Sequence, residues 1–285
     1  MSNQTPQASV LISSHDRLPL LRRCLYALAT RGPGVPYEVV LADDGSKDDI
    51  EGLLRTFGSA FPWKLVRVDP ARFAKETGVA PFFNNPAWTN NVAFAHSRGE
   101  VVYLVGNEVI AWDDCLARLR ADLSLQGGGV VFSTTYDLVP PWLDRLDAYG
   151  TNLTPATVAA VERFPLQSCH YRSDVTNYVS ACHRSLWEDI GGYDERYVGG
   201  ISSDDSDWVR RARAAGAASR VSPAVSLHQY HQGKTCYYDP PPSVISPERW
   251  EEGVRRNHLI YHAWDGTPAN PQPWPWGVVG VVDVI

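Results

Sequence analysis

Four short polar clusters hold the residue types that could do chemistry in this chain: Ser13-Ser14-His15-Asp16-Arg17, Asp43-Asp44-Gly45-Ser46, Gly106-Asn107-Glu108 and Asp204-Asp205-Ser206-Asp207. His228 and His231 follow further on. An ionised carboxylate accepts hydrogen bonds, takes protons or binds a hard cation, and a neutral imidazole adds a nitrogen ligand. Each cluster also has a plain structural reading. Asp-Gly-Ser is common turn chemistry, and an acidic first turn is favoured by the helix dipole. Asp204, Asp205 and Asp207 nevertheless repel one another, and three carboxylates exceed what a helix cap requires. A bound cation or a proton-transfer task accounts for the excess.

The elements that must position these clusters alternate in type. Apolar, β-branched runs at 9–14, 37–42, 63–68, 101–105 and 130–133 predict strands. Helical spacing over 18–29, from 50 to 57, over 87–96 and over about 113–123 predicts the helices between them. This order predicts an α/β, doubly wound, mostly parallel central sheet with helices on both faces. In such sheets ligands gather beyond the carboxyl ends of the strands, which is where the first three clusters fall. Between 134 and 177 the periodicity fades among prolines, as in a binding loop. Strands at 178–183 and 221–227 then bracket a short helix and the helix opened by Ser203-Asp204-Asp205. The organisation expected is one domain over 1–235, in halves near 8–133 and near 134–235. Residues 236–285 form a Pro- and Trp-rich extension, packed on the core or lining a binding site.

Composition narrows the function classes. With 285 residues, 44% hydrophobic and 20% charged, the chain suits a globular enzyme. A formal charge of −6 gives no basic footprint for nucleic acid. Five cysteines without a C-x-x-C pair support neither a disulfide framework nor a zinc ribbon. No leader-like segment is visible and no run reaches the roughly 18 apolar residues of a membrane span, so a cytoplasmic setting is expected, peripheral membrane contact included.

The segments SVLISSHDR, YEVVLADDGS, TNNVAFAHSRGEVVYLVGNEVI, HRSLWEDIGGYDERY, SSDDSDWVRRARAAG and VSLHQYH, in this order over residues 8–235, resemble glycosyltransferase family 2. The resemblance implies a GT-A fold and transfer of a sugar, with inversion, from a nucleotide-diphosphate donor to an acceptor hydroxyl. Ser13, His15 and Arg17 then surround the nucleotide base. Asp44 matches the aspartate that accepts from the uracil ring nitrogen, so a UDP-sugar is the favoured donor. Asp43, Asn91 and Asn107 join the donor-binding set. Glu108 stands at the last position of the D-x-D motif as a metal ligand, and His228, or else His231, completes the metal site. Asp205 matches the catalytic base, with Asp204 in place of the usual glutamate.

Gly106-Asn107-Glu108 departs from that motif, because the first carboxylate is missing. A divalent ion, Mn²⁺ favoured and Mg²⁺ the alternative, still suits a carboxylate with an imidazole. Two rival readings stay open: a non-catalytic sugar-nucleotide or glycan-binding module, and a retaining GT-A transferase. A nucleotidyltransferase lacks support, since no glycine-rich loop follows the first strand. The sugar, the acceptor (glycan, lipid-linked or small molecule) and a GDP or dTDP donor are not separated by these residues.

Overall fold

The computed structural model describes residues 5–82, 85–138, 169–171, 178–229, 231, 245–265 and 277–284. Strand β1 (Ala8–Ser14) leads through helix α1 (Leu18–Thr30) to β2 (Tyr37–Asp44), and α2 (Ile50–Arg55) leads to β3 (Trp63–Val68). Helices α3 (Pro70–Thr77) and α4 (Ala87–Ala95) precede β4 (Val101–Val105) and the short β5 (Val109–Ala111). Then come α5 (Cys115–Gln126), β6 (Val130–Leu138), β7 (Cys169–Tyr171), β8 (Val179–His183) and α6 (Arg184–Asp189). A 3₁₀ turn (Glu195–Gly199), α7 (Asp204–Ala214), β9 (Ser219–His228), α8 (Pro247–His262) and β10 (Val278–Val284) complete the chain.

One sheet runs in the order β10-β3-β2-β1-β4-β8-β6-β9-β5, with β7 attached to β6. Its amino-terminal ladder, β3-β2-β1-β4, is parallel throughout. β8 then lies antiparallel to both β4 and β6, and β6 is parallel to β9. The sheet is therefore mixed, and the mostly parallel expectation holds only for the amino-terminal half. β6 runs on to Leu138, so the chain leaves on the carboxyl side of the sheet. β8 enters from that same side, which forces it to run against its neighbours.

Side chains that alternate along each strand feed two cores. Val10, Ile12, Val39 and Leu41 pack with α1, α2 and α5 on one face. Leu11, Val40, Val66 and Leu104 pack with α4, α6 and α7 on the other, around Trp88, Trp187 and Trp208. Burial on both faces suits runs of Val, Ile and Leu, each contributing about 1.5–3 kcal/mol. The carboxyl-terminal segments join this body. β10 pairs antiparallel with β3 at the sheet edge, and α8 lies against the 3₁₀ turn. Trp274 and Trp276, the proline-rich connector after Tyr237, and most of the 134–177 stretch read as a binding loop lie outside the described residues.

Candidate functional site

The loops after β1 and β2 are laced together. Asp16 N–H donates to Ser46 Oγ (2.7 Å), Lys47 N–H to Asp16 Oδ1 (2.7 Å), and Leu18 N–H to Asp48 Oδ2 (2.9 Å). Asp48 thus supplies the cap that Arg17, itself left-handed at φ 64°, does not give α1. Asp49 caps α2, accepting from Gly52 N–H at 2.8 Å. His15 donates from Nδ1 to the Asp44 carbonyl at 2.5 Å, and Asp43 accepts from Ser46 N–H at 3.0 Å. Asp44 is 6% exposed, and its Oδ1 is buried without a hydrogen-bond partner. Burial pushes this carboxyl up to about 6, while His15 pulls it down and Asp43 pushes it further up. A buried acceptor left unsatisfied costs free energy until a donor reaches it. A cavity of about 310 Å³ opens beside this loop, lined by Asp43, Ser46, Asp49 and Arg67 among others.

Ser13 and Ser14 work at the strand end in different ways. Ser13 Oγ shares a 2.6 Å hydrogen bond with Thr89 of α4, while Ser14 Oγ accepts from Asn107 Nδ2 at 3.2 Å. Gly106-Asn107-Glu108 lead from β4 into β5, which pairs with the end of β9 and sets Val109 opposite His228. The Glu108 carbonyl accepts from Gln229 N–H, which ties the same turn to the residue after His228.

This register brings Glu108, His228 and His231 together, with one ligand atom from each within 4.8 Å of the others. His228 Nε2 lies 3.7 Å from Glu108 Oε1, and Arg17 Nη1 lies 3.6 Å from Glu108 Oε2. On its other side His228 Nδ1 donates to Asp137 Oδ1 at 2.9 Å. In the neutral ring that bond puts the proton on Nδ1 and leaves Nε2 to face the cluster as a ligand atom, whereas in the protonated ring Nε2–H points at Glu108. Burial pushes Glu108 upward, yet the hydrogen bond and charge of His228, with Arg17 and His231, hold it down to about 2. A permanently ionised carboxylate with two imidazoles fits a divalent transition ion. His231 therefore belongs to the group beside His228. Asp137, which the sequence reading passed over, orients it.

The acidic helix forms a second group. Asp204 is 8% exposed; burial first, then the neighbouring Asp205, push it up to about 7, against hydrogen bonds from its own and the Asp205 backbone N–H. Asp205, the more accessible of the two, accepts from the Tyr193 hydroxyl at 2.8 Å. Asp207 serves structure: it binds Arg210 and Arg211 at 2.5 and 2.7 Å. Tyr193 leads to Asn91, whose assignment to the donor site needs correction. Asn91 is fully buried in α4, its amide donating to the Tyr193 carbonyl (2.9 Å) and Glu195 Oε1 (3.0 Å) and accepting from Tyr193 N–H (2.8 Å). With those groups engaged, it holds the turn that carries Tyr193 instead of reaching a ligand.

Residues 9–137, from β1 to β6, match the family model described as Glycosyl transferase family 2. The chain is similar to the uncharacterized protein y4gI of Sinorhizobium fredii, 26% identical over 251 residues, covering 83% of this chain and 26% of that protein. It is also similar to the glycosyltransferase AglE of Haloferax volcanii, 22% identical over 222 residues, covering 76% of this chain and 64% of that one. The chain thus spans about a quarter of the first relative's length and just under two thirds of the second's. Among solved structures it resembles the mannosyltransferase PcManGT from Pyrobaculum calidifontis in complex with GDP-Man and Mn²⁺. The TM-score is 0.52 at 18% identity, covering 83% of this chain and 59% of that chain. It also resembles S. aureus TarS 1-349 in complex with UDP-GlcNAc, with a TM-score of 0.57 at 16% identity, covering 91% and 67%. At these identities the likeness to solved structures is one of fold. The family resemblance is thus carried by residues 9–137, and the described body has the GT-A architecture of these solved structures.

Proposed function

We propose that this chain is a metal-dependent glycosyltransferase that moves a sugar from a nucleotide diphosphate to an acceptor hydroxyl with inversion. The observation that carries the reading is the Glu108–His228–His231 cluster at the carboxyl ends of the strands, with His228 oriented by Asp137. These three residues would hold the ion, Mn²⁺ favoured and Mg²⁺ the alternative. When bound, it supplies Lewis-acid neutralisation of the charge that builds on the leaving diphosphate.

The remaining roles fall to the chain itself. The unpartnered Asp44 Oδ1 accepts from a base N–H, which favours uracil and hence a UDP-sugar. His15, Asp43, Ser13 and Asn107 complete the donor-binding set, and Arg17 adds positive charge beside Glu108. Asp205 takes the acceptor hydroxyl proton as that oxygen attacks the anomeric carbon and the bond to the diphosphate breaks. Asp204 lies beside Asp205 in the first turn of α7, and the two carboxylates repel one another when both are ionised. A single in-line displacement inverts the anomeric centre, and anomer analysis of the product separates this from a retaining reaction. PcManGT was solved with GDP-Man and TarS with UDP-GlcNAc, so relatives by fold take different nucleotides.

Calorimetric titration with UDP, GDP and dTDP, with Mn²⁺ and then with EDTA, tests the reading. Tight binding of UDP that disappears with EDTA is the expected result. Binding indifferent to metal removes the ion from the scheme. Failure to bind any diphosphate moves a non-catalytic glycan-binding module to the front.

A further inference from the structure

The backbone that presents Asp204 and Asp205 is held by side chains from two distant parts of the chain. Ser202 and Ser203, the residues just before Asp204, both sit in the left-handed region, at φ 71° and 70°. Two consecutive non-glycine residues there are costly and persist only where the surroundings impose them. Ser203 gives α7 no side-chain cap, so the local sequence does not explain the conformation.

The surroundings come from two asparagines on opposite sides. Asn85, ahead of α4, donates from Nδ2 to the carbonyls of Tyr197 and Gly200, both at 3.1 Å. Asn257, in the middle of α8, is fully buried and donates from Nδ2 to the carbonyls of Tyr197 and Ser202, both at 3.0 Å. One turn earlier on α8, the Gly253 carbonyl accepts from Ile201 N–H at 3.2 Å. The approach is close enough that a Cβ on Gly200 would collide with Asn257 Oδ1 and the Gly253 carbonyl. Further along, Arg210 of α7 donates to the Tyr261 carbonyl at 2.6 Å and lies over the rings of Tyr261 (3.9 Å) and Trp264 (4.4 Å). Helix α8 therefore grips the acidic helix at its entry and one and a half turns later. Gly253 and Asn257 are the buried residues of α8, and both meet this turn.

We infer that Asn257 is a positioning residue for the Asp204–Asp205 pair, its amide fixing the Ser202 carbonyl and so the direction in which α7 starts. This deepens the reading of Asp205 as the base and rests on it. The consequence is that the carboxyl-terminal helix is part of the catalytic architecture. Two carboxylates on the first turn of a helix move together when the residue before that turn changes conformation. A displacement of about 1 Å at a reacting group is enough to cost roughly a hundredfold in rate.

The test uses the full chain with donor, Mn²⁺ and a working acceptor. Asn257→Leu keeps the volume and removes both hydrogen bonds; Asn257→Ser is milder and decides the matter if the leucine variant does not fold. Tyr37→Phe, which deletes a hydroxyl bond to the Leu28 carbonyl on the far side of the sheet, controls for general loosening. The expected result is a kcat lower by roughly a hundredfold for Asn257→Leu, with donor KM within about threefold of wild type. Asn257→Ser should fall between, and Tyr37→Phe should keep its kcat. Hydrogen exchange should quicken in peptides covering 197–207 and not in those covering 101–111. A kcat within threefold of wild type in a folded Asn257 variant overturns the inference, as does a loss that appears only in KM. Asp205→Asn is measured alongside: if it retains turnover, the base reading fails first, and the exchange data still report whether Asn257 holds the turn.

Discussion

Two carboxylates in this molecule are both pushed up by burial and end in opposite states. Glu108 is held down to about 2, whereas Asp204 is pushed up to about 7. Burial is the leading influence on both, so the difference lies in the neighbours. Glu108 has the imidazole of His228 at 3.7 Å and the guanidinium of Arg17 at 3.6 Å. Asp204 has another carboxylate, Asp205, and the backbone N–H groups of its own helix. The proposed metal ligand is thus surrounded by cationic groups, which favour its charged form. The proposed base pair is crowded with like charge, so that protonation relieves it. The contrast supports giving the two ends of the site different tasks.

The largest expected effect breaks the second half of that contrast. Asp205→Asn removes the proton acceptor while keeping shape, and transfer should fall roughly a thousandfold. Binding of the donor diphosphate, measured by calorimetry, should stay within about twofold. A variant that binds and still turns over removes Asp205 from the chemistry.

Next comes the first half. Glu108→Gln keeps the length and deletes the charge, so affinity for UDP in the presence of Mn²⁺ should drop by roughly ten- to a hundredfold and match the wild type in EDTA. Asp137→Asn should give a smaller loss in the same titration, because it disturbs the orientation of His228 and not a ligand. An unchanged metal requirement in Glu108→Gln would separate the cluster from donor binding.

How far the sequence disclosed this arrangement depends on how local each signal was. Strands β1 to β4 announce themselves by continuous β-branched runs, and the polar clusters at their ends follow from the α/β rule. β10 and β5 were missed for a physical reason. β10 pairs with β3 more than two hundred residues away, so nothing near Val278 specifies it, and β5 has only three residues. Asp137 was missed because the strand was read as ending at Ser133. Thr134 to Asp137 are polar, yet β6 continues through them to pair with β9 and with β7. The choice between His228 and His231 was not local either, since it depends on where His231 lies relative to Glu108. Asn91 was read from family position alone. Its complete burial against Tyr193 and Glu195 could not be seen without the turn that meets it.

A third, smaller effect sharpens the donor end. Asp44→Asn keeps a carbonyl acceptor at the buried position but loses the charge, and UDP affinity should fall about tenfold. The loss should be greatest above pH 6, because wild-type Asp44 ionises near there and accepts best when ionised. Equal binding by variant and wild type at pH 8 would place the base elsewhere.

The smallest effect asks whether burial without a cation is enough to keep a carboxyl protonated in this fold. Glu195 is pushed up to about 7 by burial, against the Asn91 amide that pulls it down and with Asp194 pushing the same way as burial. A carboxyl raised in the folded state contributes stability that is complete below its unfolded value, near 4.5, and is lost as pH rises through about 7. Glu195→Gln cannot ionise and still offers an oxygen to Asn91 Nδ2. Relative to wild type, the variant should therefore gain on the order of 1 kcal/mol between pH 5 and pH 8, read from urea unfolding in EDTA. Asp44 and Asp204 titrate in the same window, but they do so in both proteins and cancel in the difference. A stability difference that is the same at pH 5 and pH 8 would mean that Glu195 is ionised throughout. Desolvation alone would then not govern the acids of this face, and the raised state of Asp204 would have to rest on Asp205 alone.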